Sequence, residues 1–525
     1  MTNLHRSLVI GCSVLALAGC GGGDKIVSPG TGGDIIINNP TPAPTGGTPT
    51  PSPTASVTPA GSCPTLTGVT DDGLISGPTG TYRVCLLPNQ INASMDLPYV
   101  PGLLYAIDGR VDIGSDGGAA PDNSDGLTDT NVTLGIDPGV IVFAKTGRSF
   151  LLVNRGNKIN AVGTSTRPIV FTSRQNVIGT ATASSEGQWG GVIVSGRAPV
   201  VDCAETLATP GTVDCQRQIE GEDQPALFGG ATVDDNSGTM SYVQIRYSGF
   251  VLGEGSELQS LTTGGTGTGT KFDHIMSYNS SDDGMEFFGG YVGMKYVVVA
   301  GQGDDAIDID TGAHAGLQHV IVVERPGVGN SMSEIDSSNG LVDATPRTDV
   351  RISNATFVGN SAFPDGAGLY VRGGADYWLT NSIVVSPQDE CVLLRDNATV
   401  QTTGPDERGP VVFNSVAMQC GGDGAFSDAR SLGDEGLAEF NKDSNNDASA
   451  TDLLMATFFN TANANSYAAF NTANLETSFF FAFDDTDHIG AVKDATDNWY
   501  EGWTCSSSYI DLGNNVGSCA SLPVY

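Results

Sequence analysis

The chain has 525 residues, 70 of them glycine and 26 proline, and only 16% are charged. Its 59 acidic residues against 24 basic ones leave a formal net charge of −35. That balance excludes nucleic acid and anionic lipid headgroups as partners, because both need clustered lysine and arginine, and it favours cations.

The first nineteen residues read as an export signal, with Arg6 as the positive start, an apolar run from Leu8 to Leu17 and small residues before Cys20. The run is too short to stay in a bilayer as a spanning helix, and no later apolar run is long enough. Leu17, Ala18, Gly19 and Cys20 resemble the lipobox of bacterial lipoproteins. The resemblance implies acylation of Cys20, which becomes the mature N-terminus; an ordinary secretory signal with a chance cysteine is the alternative. Gly21 rather than aspartate after it implies outer-membrane retention, with the lipid anchor as the membrane contact and the body facing the cell surface. Residues 20–62 are Gly, Pro, Thr and Ser with almost nothing to bury, and proline runs such as 48–53 favour extended chain. This segment is a tether.

Of ten cysteines, Cys12 leaves with the signal and Cys20 takes lipid, so eight remain. They fall as near neighbours, Cys63 with Cys85, Cys203 with Cys215, Cys391 with Cys420 and Cys505 with Cys519, which in an exported chain reads as four disulfides. Zinc is the alternative, but no CxxC pair occurs, and CxxCH for a c-type haem is absent too.

From residue 63 to 420 the chain repeats. Short β-branched runs at 140–143, 150–153, 168–173 and 189–195 are followed by 242–249, 272–279, 294–301, 317–324, 352–359, 379–386 and 413–420. Each of the later runs is followed by a turn and a second short strand, as at 284–290, 305–312, 368–374 and 391–396. The tightest period is about 22 residues, the length of three short strands and three bends, so parallel pairing between coils about 4.8 Å apart is expected. Asn354, Asn381 and Asn414 then share one place and should form a coil-to-coil amide ladder. Their upstream equivalents are Gln244, His274, Tyr296 and His319, so both histidines read as stacked structural residues. Hairpin turns of a β-sandwich and the longer period of a propeller are missing. Residues 158–173 and 188–193, with 489–492 and 498–504 near the end, resemble a widespread group of bacterial surface lipoproteins and secreted proteins with the pectin-lyase-like fold. The resemblance implies an all-β, right-handed parallel β-helix from about residue 135 onward. Residues 421–525 differ, and 437–442 and 453–461 have helical character; they are expected to cap the final coil, whose edges would otherwise stand open.

Two coils carry matching carboxylates. Asp282, Asp283 and Glu286 recur 22 residues later as Asp304, Asp305 and Asp308, with Asp310 beyond. One period apart means stacked, and each close pair costs on the order of 1 kcal/mol even when solvated. Such a ridge is a hydrated set of turns, a Ca2+ site built from these six side chains, or a catalytic pair. Asp304 and Asp305 after an Asp-rich coil look like the polygalacturonase layout, which implies acid and water-activating roles for Asp283 and one of Asp304 or Asp305, with Arg351 a distant candidate for a substrate carboxylate. The family's histidine is missing from the next coil, at 331–338, and His314 lies elsewhere in its coil. A lyase needs a basic residue, and the sequence places none on the ridge. Residues 264–270 are glycine-rich without a following helix, and no nucleophile elbow or phosphate loop stands in a credible context. The leading expectation is a non-enzymatic surface module for a glycan or protein partner; the alternative is a polysaccharide hydrolase or lyase using the ridge.

Overall fold

A strand covered on both faces must be apolar at nearly every position, and Val297, Val298, Val299 and Ala300 are all buried in this way. They end the strand Tyr291–Ala300, which pairs in parallel with His314–Val323, then in turn with Asp349–Val358, Asp376–Ser386 and Val412–Cys420. Upstream, Gly238–Arg246 and Lys271–Tyr278 extend the same sheet A. Shorter strands, Leu261–Gly264, Met285–Phe288, Ile307–Asp310, Ser333–Ile335, Leu369–Val371 and Val392–Leu394, form a second parallel sheet B. Because the chain visits the two sheets alternately, neighbours within each sheet are one coil apart, and the body is a parallel β-helix with its core between the sheets. The computed structural model describes residues 56–525 apart from 220–224, 254–255, 338–341, 361–366, 423, 428–431, 476–478 and 514. The export signal, Cys20 and most of the tether lie outside the described residues.

Sheet A is bent by one residue per coil. Tyr242, His274, Tyr296, His319, Asn354, Asn381 and Ser415 have φ between 46° and 63°, a region that costs a non-glycine residue roughly 1–2 kcal/mol. They occupy one register column. Each interrupts the alternation: Leu317 faces the core before His319 and Val320 after it, and Ile352 and Ala355 flank Asn354 in the same way. The strand changes phase there and turns a corner, as a bulge does.

This column corrects the expected ladder in three respects. Asn414 pairs with Thr380, so Ser415 and not Asn414 follows Asn381, and Tyr242 and not Gln244 precedes His274. The left-handed residue sets equivalence, and the sequence reading misses it only at the two ends of the column, being in register from His274 to Asn381. The asparagines also do not bond to one another. Asn354 Nδ2 donates to His488 O at 3.0 Å, and Asn381 Nδ2 donates to Phe470 O at 2.9 Å. The two histidines are stacked structural rings: His274 lies 4.0 Å from Tyr242 and 4.4 Å from Tyr296, and Tyr296 lies 5.0 Å from His319.

The region after Cys420 does more than cap. The helix Gly433–Phe440 closes the last coil by setting Phe440 against Phe413 and Phe426. Residues 453–461 are not helical: Leu454–Met455 and Phe459–Asn460 pair as a small antiparallel hairpin. The rest is a strap that returns along the outside of sheet A until Tyr525 meets Tyr99 near the first coils. The physical reason is the outward side of sheet A, where Met276, Val298, Ile321 and Val358 would face water; Phe458, Val492, Tyr500, Trp503 and Ile510 of the strap cover them in a second core. All eight cysteines form the near-neighbour disulfides.

Candidate functional site

Strand alternation in sheet B sends Met285, Phe287, Ile307, Ile309 and Ile335 inward. Glu286, Asp308 and Glu334 therefore project outward, and they are register partners in successive coils. The turns that lead into two of these strands carry Asp282 with Asp283 and Asp304 with Asp305. The result is a cleft of about 220 Å3 lined by eight carboxylates and by the amides of Gln259 and Asn330. All six residues of the expected ridge, Asp282, Asp283, Glu286, Asp304, Asp305 and Asp308, line it together.

Two carboxylates are missing from the sequence reading. Glu334 stands one coil beyond Asp308, in the stretch searched only for a histidine; its equivalent position was the available signal. Glu257 comes from the short pair Val251–Gly253 and Ser256–Glu257, which has no repeat signature.

Hydrogen bonds fix the cleft as a staircase. The Asp305 N–H donates to Asp283 Oδ1 at 2.9 Å, and the Ser331 N–H donates to Asp305 Oδ1 at 2.6 Å, so each carboxylate is held by the following coil. Gln259 Nε2 donates to Asp282 Oδ2 at 3.2 Å. Asp308 Oδ1 is covered yet has no hydrogen-bond partner among the described residues. Oxygen atoms of Asp282, Asp283 and Asp304 approach within 4.8 Å of one another, as do those of Asp283, Glu286 and Asp308. Asp283 is common to both groups.

The electrostatics follow from that crowding. Burial first, and then Asp282 and Glu286, push the Asp283 carboxyl well above the usual carboxylate range. Asp305 is raised by burial and by Glu334, and Asp308 by burial and by Glu286. Burial carries Asp310 up to about 6 and Asp336 to about 7, the latter outweighing Arg372 beside it.

No basic side chain lines the cleft, and Arg372 stands beside it. It follows Val371 in the next strand of sheet B and lies 2.7 Å from Glu334 and 2.8 Å from Asp336. Although burial opposes it, those two carboxylates raise its pKa and hold its guanidinium charged. Arg351 and His314 stand elsewhere, on sheet A. Arg351 is buried against Asp349 at 3.0 Å and sits over the rings of Trp378 and Phe479. His314 packs edge-on to Tyr291 with centroids 5.0 Å apart.

Carboxylates arranged in this way accept hard cations, whose preferred ligands are several oxygens. An acid that keeps its proton beside ionised neighbours is also what general acid–base chemistry requires. No curated protein matches the chain, and no solved structure does. A model of the pectate-lyase-like β-helix domain matches residues 123–504, most of the coils together with the first part of the strap, and the chain belongs to that family.

Proposed function

We propose that this protein is a lipid-tethered binding module of the outer cell surface whose sheet B cleft holds Ca2+ and through it engages a polysaccharide or protein partner. The observation that carries this is the cleft itself: eight carboxylates around about 220 Å3, with no basic side chain among the residues that line it. Ca2+ takes six to eight oxygens in flexible geometry, whereas Mg2+ demands a near-octahedral set and keeps much of its water. The crowded, unevenly spaced carboxylates suit the larger ion. The tether at residues 20–62 and the lipobox ending at Cys20 support the surface address.

Calorimetric titration of the purified chain with Ca2+ is expected to give saturable heat. Asp308→Asn and Asp304→Asn should each weaken it by roughly 10–100-fold, as loss of an inner ligand does. Equal, weak heats in all three proteins would remove the cation. Cys20→Ser should move the protein from the membrane fraction to the soluble fraction.

A second reading is favoured by one observation, the packing of Asp283 oxygens within 4.8 Å of those of Glu286 and Asp308, where burial and its acidic neighbours push its carboxyl well above the usual carboxylate range. In that reading the cleft hydrolyses a polysaccharide, with Asp283 as the acid. Release of reducing ends, lost in Asp283→Asn, would establish it. A lyase is disfavoured, because Arg372 is locked in its charged form by Glu334 and Asp336.

A further inference from the structure

We infer that the outer flank of sheet A binds neutral pyranose units of a polysaccharide in a cleft centred on His274. This site adds to the glycan part of the function proposed above, and it lies on the other sheet from the carboxylates and needs no cation.

A cleft of about 570 Å3 opens between the outward side chains of the strands around Lys271, Asp273 and Lys295 and the strap at Phe480 and Phe481. A second, of about 580 Å3, opens beside Tyr242, Trp499 and Glu501. His274 lines both, so the two meet at its imidazole. Each has the size of a small-ligand site, and each mixes aromatic rings with a few placed polar groups.

The polar groups are held in advance. His274 Nδ1 lies 2.6 Å from Asp273 Oδ1, which also accepts from Ser241 Oγ at 2.6 Å. A proton on Nδ1 satisfies that contact and leaves Nε2 as an acceptor at the cleft. Asp273 Oδ2 is a second acceptor, and the exposed Lys271 ammonium, which donates one hydrogen bond to Thr268 O at 2.9 Å, has further N–H groups to give. The imidazole cannot swing, since it is sandwiched between Tyr242 and Tyr296 with Trp503 edge-on at 5.4 Å. Binding therefore loses little side-chain freedom.

The column is open only here. Further along it, the side-chain amides of Asn354 and Asn381 are spent on the strap backbone, and His319 is buried. Tyr242, His274 and Tyr296 remain partly exposed, although Trp503 and Trp499 of the strap stand against their rings. Donors and acceptors in alternation suit hydroxyl groups, which can both give and take a hydrogen bond. The half-buried rings of Phe480 and Phe481 line the cleft and give it an apolar wall for the C–H side of a pyranose. A uronate is the poorer fit: the Lys295 ammonium is taken by Asp484 at 2.7 Å, and the chain carries a net charge of −35.

The test is titration of the full chain in EDTA with cellohexaose, xylohexaose and mannohexaose, with hexagalacturonate as the acidic comparison. At least one neutral hexasaccharide is expected to bind. His274→Asn, which puts at this position the residue the fold already accepts at 354 and 381, and Lys271→Ala should each weaken binding at least ~10-fold in chains whose circular dichroism shows the same fold. Asp308→Asn should leave it unaltered. Failure of all three neutral sugars, or affinity indifferent to both variants, overturns the site. Binding restricted to hexagalacturonate, or abolished by EDTA, also overturns it and assigns the glycan to sheet B. Neutral-sugar binding that survives while Ca2+ heats are absent would instead sink the cation and spare this cleft.

Discussion

Removing divalent cations should make the fold lose stability as pH rises from 4 to 7, the reverse of ordinary acid denaturation. The sign comes from Asp283, Asp305, Asp308 and Asp310, whose carboxyls are all raised in the folded chain, Asp310 to about 6. In the unfolded chain each ionises near 3.9. Across this window these four carboxyls hold more protons in the folded state than in the unfolded one and outnumber the lowered His314, His319 and His488, which act the other way, so the free energy of unfolding falls with pH; the carboxyl contribution is complete below pH 4 and is lost as pH climbs through the folded values. For Asp310 alone, about two units at 1.36 kcal/mol each give ~3 kcal/mol. At about 2.1 cal/mol/K of unfolding entropy per residue, a body of roughly 470 residues shifts by about 1 °C per kcal/mol, so Asp310 alone lowers Tm by about 3 °C. The three more deeply raised carboxyls add to that. Millimolar Ca2+ should replace the protons and flatten the curve. Thermal unfolding followed by circular dichroism in EDTA and in Ca2+, from pH 4 to 8, measures both. A Tm that holds steady or climbs with pH in EDTA would refute the crowding argument, and so would an Asp308→Asn curve as steep as the wild type.

Three further outcomes are expected. In Gly316→Ala the new methyl would fall 2.5 Å from Phe481 Cγ, so stability should drop by roughly 1–3 kcal/mol in urea unfolding, and Phe481→Ala in the same chain should recover much of the loss. His319→Val should destabilise more than His319→Asn, since a β-branched residue fits φ of 57° badly and asparagine tolerates it; the difference is about 1–2 kcal/mol by the same assay. The double variant Cys505→Ser, Cys519→Ser removes a link spanning 14 residues and should cost about 3 kcal/mol, read as earlier proteolysis within the strap.

The coil was legible because chemistry repeated with it. Asp282, Asp283 and Glu286 against Asp304, Asp305 and Asp308 gave the period, and Glu286 does pair with Asp308 in the sheet. The left-handed column was read in register from His274 to Asn381 and missed only at its ends, where Gln244 and Asn414 stood for Tyr242 and Ser415, because what unites its members is a backbone angle rather than a side-chain type. The region after Cys420 was legible as a cap, but its course as a strap along sheet A was not. It is short pairs, turns and single aromatic anchors without periodicity, and its covering role depends on contacts far apart in sequence, such as Trp503 with Tyr242 and Tyr525 with Tyr99. Its trace was on sheet A, where runs such as 297–300 are apolar at every position and so demand cover on both faces.

The confinement of the acids argues against ordinary turn solvation. One outward column of sheet B runs through successive coils as Leu152, Ile193, Thr262, Glu286, Asp308, Glu334, Tyr370 and Leu393. Three adjacent places are carboxylates; upstream of Leu152 the column continues to Asp112, whose carboxylate is paired with Arg110 at 2.8 Å, and to Gln90. On the upstream side Phe228, Val200 and Ile219 cover the column with a small core that reaches Leu152, Ile193 and Phe288; on the downstream side Arg372 and Arg395 flank the Tyr370 ring. Solubility would scatter acids along the rod, and folding would avoid stacking them where burial raises their pKa values. A cluster that costs the fold stability, with its acids stacked in adjacent coils and no basic side chain lining their cleft, is where a site that binds by charge belongs.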